Sequence, residues 1–384
     1  MEQPVPILTT QINLEPDVID LGIGQPQLQV LPLELIRKTA TEQLAQNDPS
    51  FLQYGIEQGD GFFRLALAGF LKRGYGIPVA ADDLFITAGA SQGLDLLATL
   101  LAASGDTVLV EEPSYFLALH ILADHGLNVV GVPTDAQGLD VDALAEELKR
   151  RRPAFLYTIP TFQNPTTAVL PAERRERLAE LSRAYDFPIV ADEVYHFLNF
   201  GPPPPPPLAA YIDRGNIISL GSFSKILAPG LRLGWIQAAR PLIARLVTSG
   251  LLDSGGGLNP FASALVRPAL EGTGEQEYLT RLRAIYRERA AAMSAALTRE
   301  LGGPVEFQEP QGGFFFWLKL PATMDAARWL PLAARHKVGY RPGVKFSSRN
   351  GLHNYLRLSF TYYDVPQLEE GIVRLGRVLA ASPD

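Results

Sequence analysis

The sequence contains no cysteine and only five histidines. Without cysteine the chain has neither disulfides nor thiolate metal sites. The nearest histidine pair, His120 and His125, lacks a supporting carboxylate motif, so no metal is expected. The longest apolar stretches are broken by charge or glycine before the roughly 18 residues that a membrane-spanning helix requires. The first residues also lack the basic segment and apolar core of a signal peptide.

Charged residues are also comparatively few. Charged residues make up 20% of the chain and the formal net charge is −7. That acidic balance argues against non-specific nucleic-acid binding and suits a soluble protein, so a cytoplasmic location is expected. Hydrophobic residues make up 47% of the 384 residues, enough for one large and one smaller domain.

Strand and helix patterns alternate between residues 83 and 235. This βαβ rhythm predicts an α/β fold with a mostly parallel sheet covered by helices on both faces. From about residue 275 a long amphipathic helix and short strands predict a smaller α+β domain. The predicted division is 1–48 for an N-terminal arm and part of the small domain, 49–274 for the large domain and 275–384 for the small domain.

The consecutive prolines at 202–207 form a stiff, extended run. They are interpreted as a spacer between two strands. A polyproline ligand for a protein partner is the alternative.

Lys225 follows an apolar strand in the segment Gly221-Ser-Phe-Ser-Lys-Ile-Leu-Ala-Pro-Gly-Leu-Arg232. An amine, the hydroxyls of Ser222 and Ser224, and the Arg232 guanidinium suit an aldehyde that carries a phosphate. The sequence therefore predicts a Schiff base between Lys225 and pyridoxal 5'-phosphate. A surface loop is the alternative interpretation of this segment.

Asp192 ends a short apolar run that is typical of a buried parallel strand. Ligands bind at the carboxyl edge of such sheets. An aspartate at that edge keeps the pyridine nitrogen of pyridoxal phosphate protonated, so that the ring accepts electrons. The alternative is a helix N-cap.

Gly89, Ser91 and Gln92 lie where a strand turns into a helix. Free backbone N–H groups and the helix dipole favour an anion there, so these residues are predicted to bind the phosphate. By itself this glycine motif is weak.

Three residues are predicted to contact the cofactor ring. Tyr115 follows a strand-ending proline and is expected to stack on the ring, unless it is a core tyrosine. Asn164 and Tyr195 are expected to donate hydrogen bonds to the ring phenolate oxygen and so lower the pKa of the Schiff base. Asn164-Pro165 is also an ordinary turn dipeptide.

Arg357 interrupts an apolar alternation in Leu356-Arg-Leu-Ser-Phe. A guanidinium on a strand can hold an α-carboxylate through two parallel bonds. Gly24 would let the backbone approach the same carboxylate, and Asn164 is also expected to bind the substrate. An outward-facing arginine on an edge strand is the alternative.

Together these motifs resemble the class I and II aminotransferases of fold type I over nearly the whole chain. The resemblance is carried, in order, by Tyr54, Gly89-Ala-Ser-Gln, Tyr115, Asn164-Pro, Asp192-x-x-Tyr195, Ser-x-Ser-Lys225, Arg232 and Arg357. The segments at 227–235 and 310–317 are similar to the 2-aminoadipate and kynurenine aminotransferase branch. They are also similar to the aminotransferase-like part of certain bacterial transcription regulators, which carry a helix-turn-helix domain in front. The given residues contain no basic helix-turn-helix segment, so a free enzyme is expected.

The resemblance implies a seven-stranded, mostly parallel sheet in the large domain and a homodimer with the active site between subunits. It implies that Tyr54 reaches the phosphate of the partner subunit, and that the loop of Asn259 approaches the neighbouring site.

The expected reaction moves an amino group from an L-amino acid to a 2-oxo acid, with 2-oxoglutarate as the expected acceptor, by ping-pong kinetics. Lys225 would move the α-proton, with Asp192 and Tyr195 as the other catalytic residues. A C–S lyase or decarboxylase on the same scaffold, or a regulatory module that only binds pyridoxal phosphate, remain alternatives. The preferred amino acid does not follow from the sequence.

Overall fold

The computed structural model describes residues 10–381. Thirteen β-strands and twelve α-helices lie within this range. The strands are β1 (Ile19–Asp20), β2 (Leu84–Thr87), β3 (Thr107–Glu112), β4 (Asn128–Asp135), β5 (Gly138–Leu139), β6 (Phe155–Thr158), β7 (Ile189–Asp192), β8 (Ile217–Ser222), β9 (Gly234–Ala238), β10 (Phe315–Lys319), β11 (Val338–Gly339), β12 (Arg341–Pro342) and β13 (Tyr355–Ser359). The helices are α1 (Leu33–Leu44), α2 (Gly61–Tyr75), α3 (Ala90–Leu101), α4 (Phe116–Asp124), α5 (Val141–Arg150), α6 (Ala172–Tyr185), α7 (Arg240–Val247), α8 (Gly250–Gly255), α9 (Pro260–Glu271), α10 (Gly274–Leu301), α11 (Leu330–Arg335) and α12 (Val365–Ala380).

The large sheet has eight strands in the order β2-β9-β8-β7-β6-β3-β4-β5. The neighbours from β8 to β4 pair in parallel, whereas β9 is antiparallel to both β2 and β8. The predicted α/β class and mostly parallel sheet are confirmed. The expected number of seven strands is exceeded by one, because the two-residue β5 forms a hairpin with β4 at the edge.

The central strands are buried on both faces because helices cover both sides of the sheet. Every residue of β6, β7 and β8 is buried. Side chains on one face pack into a core that includes α2 and α3, and those on the other pack against α5 and α6. Continuous apolar runs are the pattern expected for such strands. As a result, the polar residues at their carboxyl ends gather at one edge of the sheet.

A three-stranded antiparallel sheet, in the order β10-β13-β12, forms the centre of the C-terminal part. Near the N-terminus, β1 pairs in parallel with β11, with Ile19 opposite Val338. The N-terminal segment thus packs against the C-terminal part and continues towards the large sheet. Residues 1–9 of the predicted arm lie outside the described range, and the proposed domain boundaries stay a prediction.

Two local features differ from the sequence expectations. The helices α7, α8 and α9 were not predicted. The alternating apolar residues Leu231, Leu233 and Trp235 predict a strand that begins at Leu231. The strand β9 begins instead at Gly234, because Arg232 adopts a left-handed φ of 47° after a short 3₁₀ turn. This turn directs Arg232 back towards the start of α3 rather than along the sheet.

The proline run at 202–207 connects β7 to the segment before β8, and its end is anchored to the core. Buried Arg175 donates to the carbonyl oxygen of Pro206 at 3.1 Å, and the Leu208 N–H donates to the Glu193 carboxylate at 2.7 Å. These contacts favour the spacer interpretation.

No helix within residues 10–381 is long and apolar enough to cross a bilayer. The same range contains no group of three or more His, Asp or Glu side chains arranged to hold a metal ion.

Candidate active site

Asp192 lies at the carboxyl end of β7 and is buried. Its Oδ2 accepts a 2.7 Å hydrogen bond from the Tyr157 hydroxyl, whereas Oδ1 is buried without a partner. Burial raises the pKa of Asp192 to about 6, and the Tyr157 hydrogen bond and the charge of Lys225 partly oppose this rise. The unpaired oxygen is therefore a site for a hydrogen-bonded cation such as a pyridinium N–H.

Lys225 follows β8, the strand next to β7. Its Nζ donates to the Gly24 carbonyl oxygen at 3.0 Å and lies 5.0 Å from the centre of the Phe314 ring. Burial and the nearby charge of Arg357 lower the pKa of Lys225 to about 8, although Asp192 acts in the opposite direction. The neutral, nucleophilic form of this amine is consequently far more populated near neutral pH than that of an ordinary lysine.

A polar cradle lies between the start of α3 and the turn that follows Lys225. Arg232 donates to the Ala88 carbonyl oxygen at 3.0 Å and to Ser224 Oγ at 3.4 Å, and the Ser222 hydroxyl lies 3.0 Å from that of Ser224. Gly89 begins the helix with a φ of 94°, and a Cβ there would lie 2.8 Å from Arg232 Nη2. The cradle thus requires glycine, and it offers a guanidinium and two hydroxyls to a phosphate.

Two more predicted phosphate contacts lie in the first turn of α3. Ser91 is exposed. Gln92 is turned back onto the backbone, because its Oε1 accepts a 3.2 Å hydrogen bond from the Ala88 N–H.

The structure brings Tyr115, Asn164 and Tyr195 close to Asp192 and Arg357. The charges of Asp192 and Arg357 influence both tyrosines, and Tyr195 is hydrogen-bonded to the Asn164 side chain. Burial raises the pKa of Tyr115 to about 12 and also raises the pKa of Tyr195 well above its ordinary value. Both phenols are therefore protonated near neutral pH and can donate hydrogen bonds.

Arg357 on β13 is buried, so the outward-facing alternative is wrong. Its Nη1 donates to Asn164 Oδ1 at 2.9 Å and its Nη2 to the Gly22 carbonyl oxygen at 3.0 Å, while Nε is buried without a partner. The guanidinium lies 3.9 Å from the centre of the Phe315 ring. Burial lowers its pKa to about 10, and it remains a cation at neutral pH. A Cβ on Gly24 would lie 3.0 Å from Phe315 and 3.6 Å from Arg357, so this glycine keeps the approach to the arginine open.

Tyr54 is not enclosed by its own chain, since 85% of its surface is exposed. It nevertheless lies beside the cradle, because its neighbour Gly55 forms a β-bridge with Gly257, and the Asn259 side chain hydrogen-bonds to the Arg232 carbonyl oxygen.

The sequence analysis missed Tyr157, which supports Asp192, and the aromatic packing of Phe314 and Phe315 around Lys225 and Arg357. A signal for Phe314 and Phe315 was present in the aromatic run at 314–317. Tyr157 becomes informative only when β6 is known to neighbour β7.

The residues present fit pyridoxal phosphate. An unpaired buried carboxylate oxygen, an amine with a pKa of about 8 and a glycine-lined cradle lie at the same sheet edge. This combination defines a site for a phosphorylated aldehyde cofactor at the carboxyl ends of parallel strands.

Comparisons with known proteins agree with this geometry. The family model "Aminotransferase class I and II" matches residues 16–375. Aromatic-amino-acid aminotransferase 1 of Thermococcus litoralis is 36% identical over 94% of this chain and 88% of its own length. The multiple substrate aminotransferase of Thermococcus profundus superposes with a TM-score of 0.89 at 34% identity, covering 95% of this chain and 91% of that chain.

A third relative is LysN, the alpha-aminoadipate aminotransferase of Thermus thermophilus, solved with N-(5'-phosphopyridoxyl)-L-leucine. It has a TM-score of 0.86 and 34% identity and covers 95% of this chain and 92% of that chain. The chain belongs to the class I and II aminotransferases of fold type I. It is a pyridoxal phosphate-dependent aminotransferase.

Proposed function

We propose that this enzyme transfers the amino group of an L-amino acid to 2-oxoglutarate by a ping-pong mechanism at one carboxylate-binding site. The observation that carries the proposal is the buried Arg357 beside Lys225, Asp192 and Asn164. LysN, by its name, acts on the dicarboxylic alpha-aminoadipate, which supports a dicarboxylic oxo acid as acceptor.

Arg357 would bind the α-carboxylate of the donor and then that of the acceptor. A guanidinium carries five N–H donors, and contacts to Asn164 and Gly22 use two of them. The remaining donors include the buried, unpaired Nε–H. A carboxylate there would form two charge-assisted hydrogen bonds in a site of low polarity, which favours tight, oriented binding.

Lys225 would move the proton of the reaction. As a neutral amine, its Nζ accepts the proton from the substrate α-carbon and returns it within the same half-reaction. The pKa of about 8 suits this role, because both protonation states are populated near neutral pH.

Bound pyridoxal phosphate supplies an electron-accepting ring attached to the substrate nitrogen. Asp192 would hold the positive charge of that ring through Oδ1, while Tyr157 fixes the other carboxylate oxygen. Ser91, Gln92, Ser222, Ser224 and Arg232 are proposed to hold the phosphate. Tyr115, Asn164 and Tyr195 are proposed to hold the ring.

The test is a panel of single L-amino acids added to the holoenzyme without acceptor, while the absorbance of the bound cofactor is followed. An active donor should convert the cofactor stoichiometrically and release its 2-oxo acid, and 2-oxoglutarate should then restore the original spectrum. Lys225→Ala should reduce turnover by at least about 10⁴-fold, since no other amine replaces the proton carrier.

Two results would contradict the proposal. Turnover of Lys225→Ala at the parental rate would remove its assigned role. Continuous release of pyruvate and ammonia without an acceptor would instead indicate a β-eliminating lyase, and release of CO₂ would indicate a decarboxylase.

We also propose that the enzyme is a homodimer whose partner completes the cradle. The residues Leu52, Tyr54, Ile56, Phe62, Leu65 and Phe261, here named the apolar patch, are all exposed. The segments that carry them are neighbours, because α2 packs on α9 and the Phe51 ring contacts the Phe261 ring. The patch borders the cradle, where Ser91 and Arg232 are also exposed. A second copy is the occupant that would both bury the patch and bring its Tyr54 to the phosphate.

A cytoplasmic location and the absence of nucleic-acid and membrane partners stay predictions. They depend on the composition of the chain alone.

A further inference from the structure

Glu111 is a buried carboxylate on the face of the large sheet opposite Asp192. Its neighbour Leu109 packs with Leu156 and Ala191 in the core beneath α5 and α6, whereas Val190 and Leu220 belong to the other core. Because alternate residues of a strand share a face, Glu111 and Thr158 point towards α5 and α6, while Asp192 points the other way. Glu111 thus cannot contact the cofactor ring directly.

All three donors to Glu111 lie in the segment that leads from β6 to Asn164. The Thr158 hydroxyl donates to Oε1 at 2.7 Å, and the Ile159 N–H and Gln163 Nε2 donate to Oε2 at 3.1 and 3.0 Å. A carboxylate is the side chain that accepts all three bonds at once. Glu111 therefore fixes both the start and the end of this segment.

Gln163 extends the connection in two directions. Its Nε2 also donates to the Pro113 carbonyl oxygen at 2.8 Å, in the turn just before Tyr115. Its Oε1 accepts hydrogen bonds from the Thr166 N–H and hydroxyl, both at 2.8 Å. The turn that carries Asn164 and the turn that carries Tyr115 are therefore joined through one amide, which is itself held by Glu111.

The burial of the Glu111 carboxylate lowers the stability of the fold. None of the ion pairs among residues 10–381 involves Glu111, so its charge is compensated only by hydrogen bonds. Burial raises the pKa of Glu111 to about 7 despite those bonds. A buried carboxylate without a cationic partner destabilises the fold relative to an apolar residue, which favours a role in geometry.

We propose that Glu111 is a positioning residue that, through Gln163, orients the Asn164 amide for the substrate α-carboxylate. The proposal rests on the proposed function of Arg357 in carboxylate binding, which Asn164 supports by accepting a hydrogen bond from Arg357 Nη1. When the turn is fixed, Asn164 Oδ1 holds Arg357 Nη1, and the fork of the guanidinium is aimed before the substrate arrives. Loss of this preorganisation weakens substrate binding most and cofactor binding less, because the cofactor loses only its ring contacts on these two turns, whereas Lys225 and the phosphate cradle lie elsewhere.

Glu193 provides a matched control. It lies one residue beyond Asp192, is equally buried at 1% exposure, and also accepts three hydrogen bonds. Its donors are Ser219, Leu208 and Ala209, which lead away from Asn164 towards the segment before β8. Glu193 is also paired with Arg175 at 3.9 Å, and Arg175 donates to Pro160 and Thr161 at 2.8 and 2.9 Å. Glu193→Gln therefore disturbs a similar buried acid near the same segment while leaving the hydrogen bonds of Glu111 and Gln163 in place.

The experiment compares Glu111→Gln, Glu193→Gln, Asn164→Ala and the double variant Glu111→Gln/Asn164→Ala as holoenzymes. An α-methyl amino acid, which binds but has no α-proton, reports affinity through the cofactor absorbance, and KM and kcat are measured separately. Glu111→Gln should raise the dissociation constant and KM about tenfold, the effect of one charge-assisted hydrogen bond. Glu193→Gln should lower the melting temperature similarly but change the dissociation constant by less than about twofold.

In the Asn164→Ala background, Glu111→Gln should add less than about a twofold loss of affinity, because the two residues act as a unit. Additive losses, or equal effects of Glu111→Gln and Glu193→Gln on affinity, would overturn the proposal. If Glu111→Gln does not fold, Gln163→Leu must show the same loss of affinity. An unchanged affinity in Gln163→Leu would also overturn the proposal. Glu111→Asp should restore part of the loss.

Should the parental enzyme bind the α-methyl ligand but fail to transaminate, the proposed function fails while the positioning role stands.

Discussion

Lys225 lies between Arg357 and Asp192, which act on the pKa of its amine in opposite directions. Burial and Arg357 prevail, and the pKa is lowered from 10.5 to about 8. The neutral amine is the form that attacks an aldehyde. The rate at which the apoprotein binds pyridoxal phosphate covalently should therefore rise with pH and level off above about 8. Stopped-flow absorbance between pH 6 and 10, with intact-mass confirmation of the adduct, measures this midpoint.

Arg357→Gln is the companion variant for this titration. Removing the guanidinium removes a positive charge that opposes protonation of Lys225, so the midpoint should move to higher pH. A midpoint near the ordinary lysine value in the parental protein, or an unchanged midpoint in Arg357→Gln, would show that the two cations do not interact.

At the scale of single residues, the sequence predicts the polar residues that interrupt an apolar pattern. Asp192, Lys225 and Arg357 each stand as a polar residue at or within an apolar run, and all three meet in the structure. Tyr157 and Glu111 were not predicted, because each looks like an ordinary strand residue until the neighbouring strand is known. Their roles depend on the order β7-β6-β3, which local periodicity does not contain.

At the scale of elements, the start of α3 depends on Gly89. Its φ of 94° is unfavourable for other residues, and a Cβ there would press on Arg232. Gly89→Ala should therefore lower stability by about 1 kcal/mol and also raise the dissociation constant of pyridoxal phosphate about tenfold. Equilibrium dialysis of the cofactor and thermal unfolding of the apoprotein measure the two effects separately.

Gly105→Ala is the matched control for Gly89→Ala. Gly105 has a nearly equal φ of 92°, but a Cβ there would meet nothing within 4 Å. The control should show the same loss of stability with unchanged cofactor affinity. If both variants bind the cofactor equally well, the cradle does not depend on Gly89.

The prediction of helices from the sequence fails where glycine and proline residues are frequent. Between 240 and 271 the chain carries Pro241, Gly250, Gly255–Gly257, Pro260 and Pro268, which obscure three helices. Pro260 in fact begins α9, and Pro268 lies inside it, tolerated because packing against α1 and α2 holds the helix. The two-residue strands β1, β11 and β12 are too short for any periodic pattern. Their pairing is set by tertiary contacts.

At the scale of the whole molecule, the cradle is open on the side where the apolar patch begins. In a single chain Tyr54, Ser91 and Arg232 all face solvent. A phosphate held only there would remain hydrated, which weakens each charge-assisted bond. Closure by the proposed second copy would remove water from the cradle and bury the patch at the same time, so cofactor affinity and dimerisation should be coupled.

Leu65→Glu tests this coupling, because a carboxylate in the apolar patch would have to lose its hydration on association. The parental holoenzyme should sediment at twice the chain mass of 41.9 kDa. The variant should dissociate, with a dimer dissociation constant raised at least about 100-fold, and should lose cofactor affinity in parallel.

Tyr185→Glu, which alters an exposed aromatic on α6 outside the patch, should change neither property. Tyr54→Phe should stay dimeric and lose cofactor affinity alone, because it removes only the hydroxyl that is proposed to reach the partner's phosphate. A monomeric parental enzyme with full cofactor affinity would refute both the dimer and the role of Tyr54.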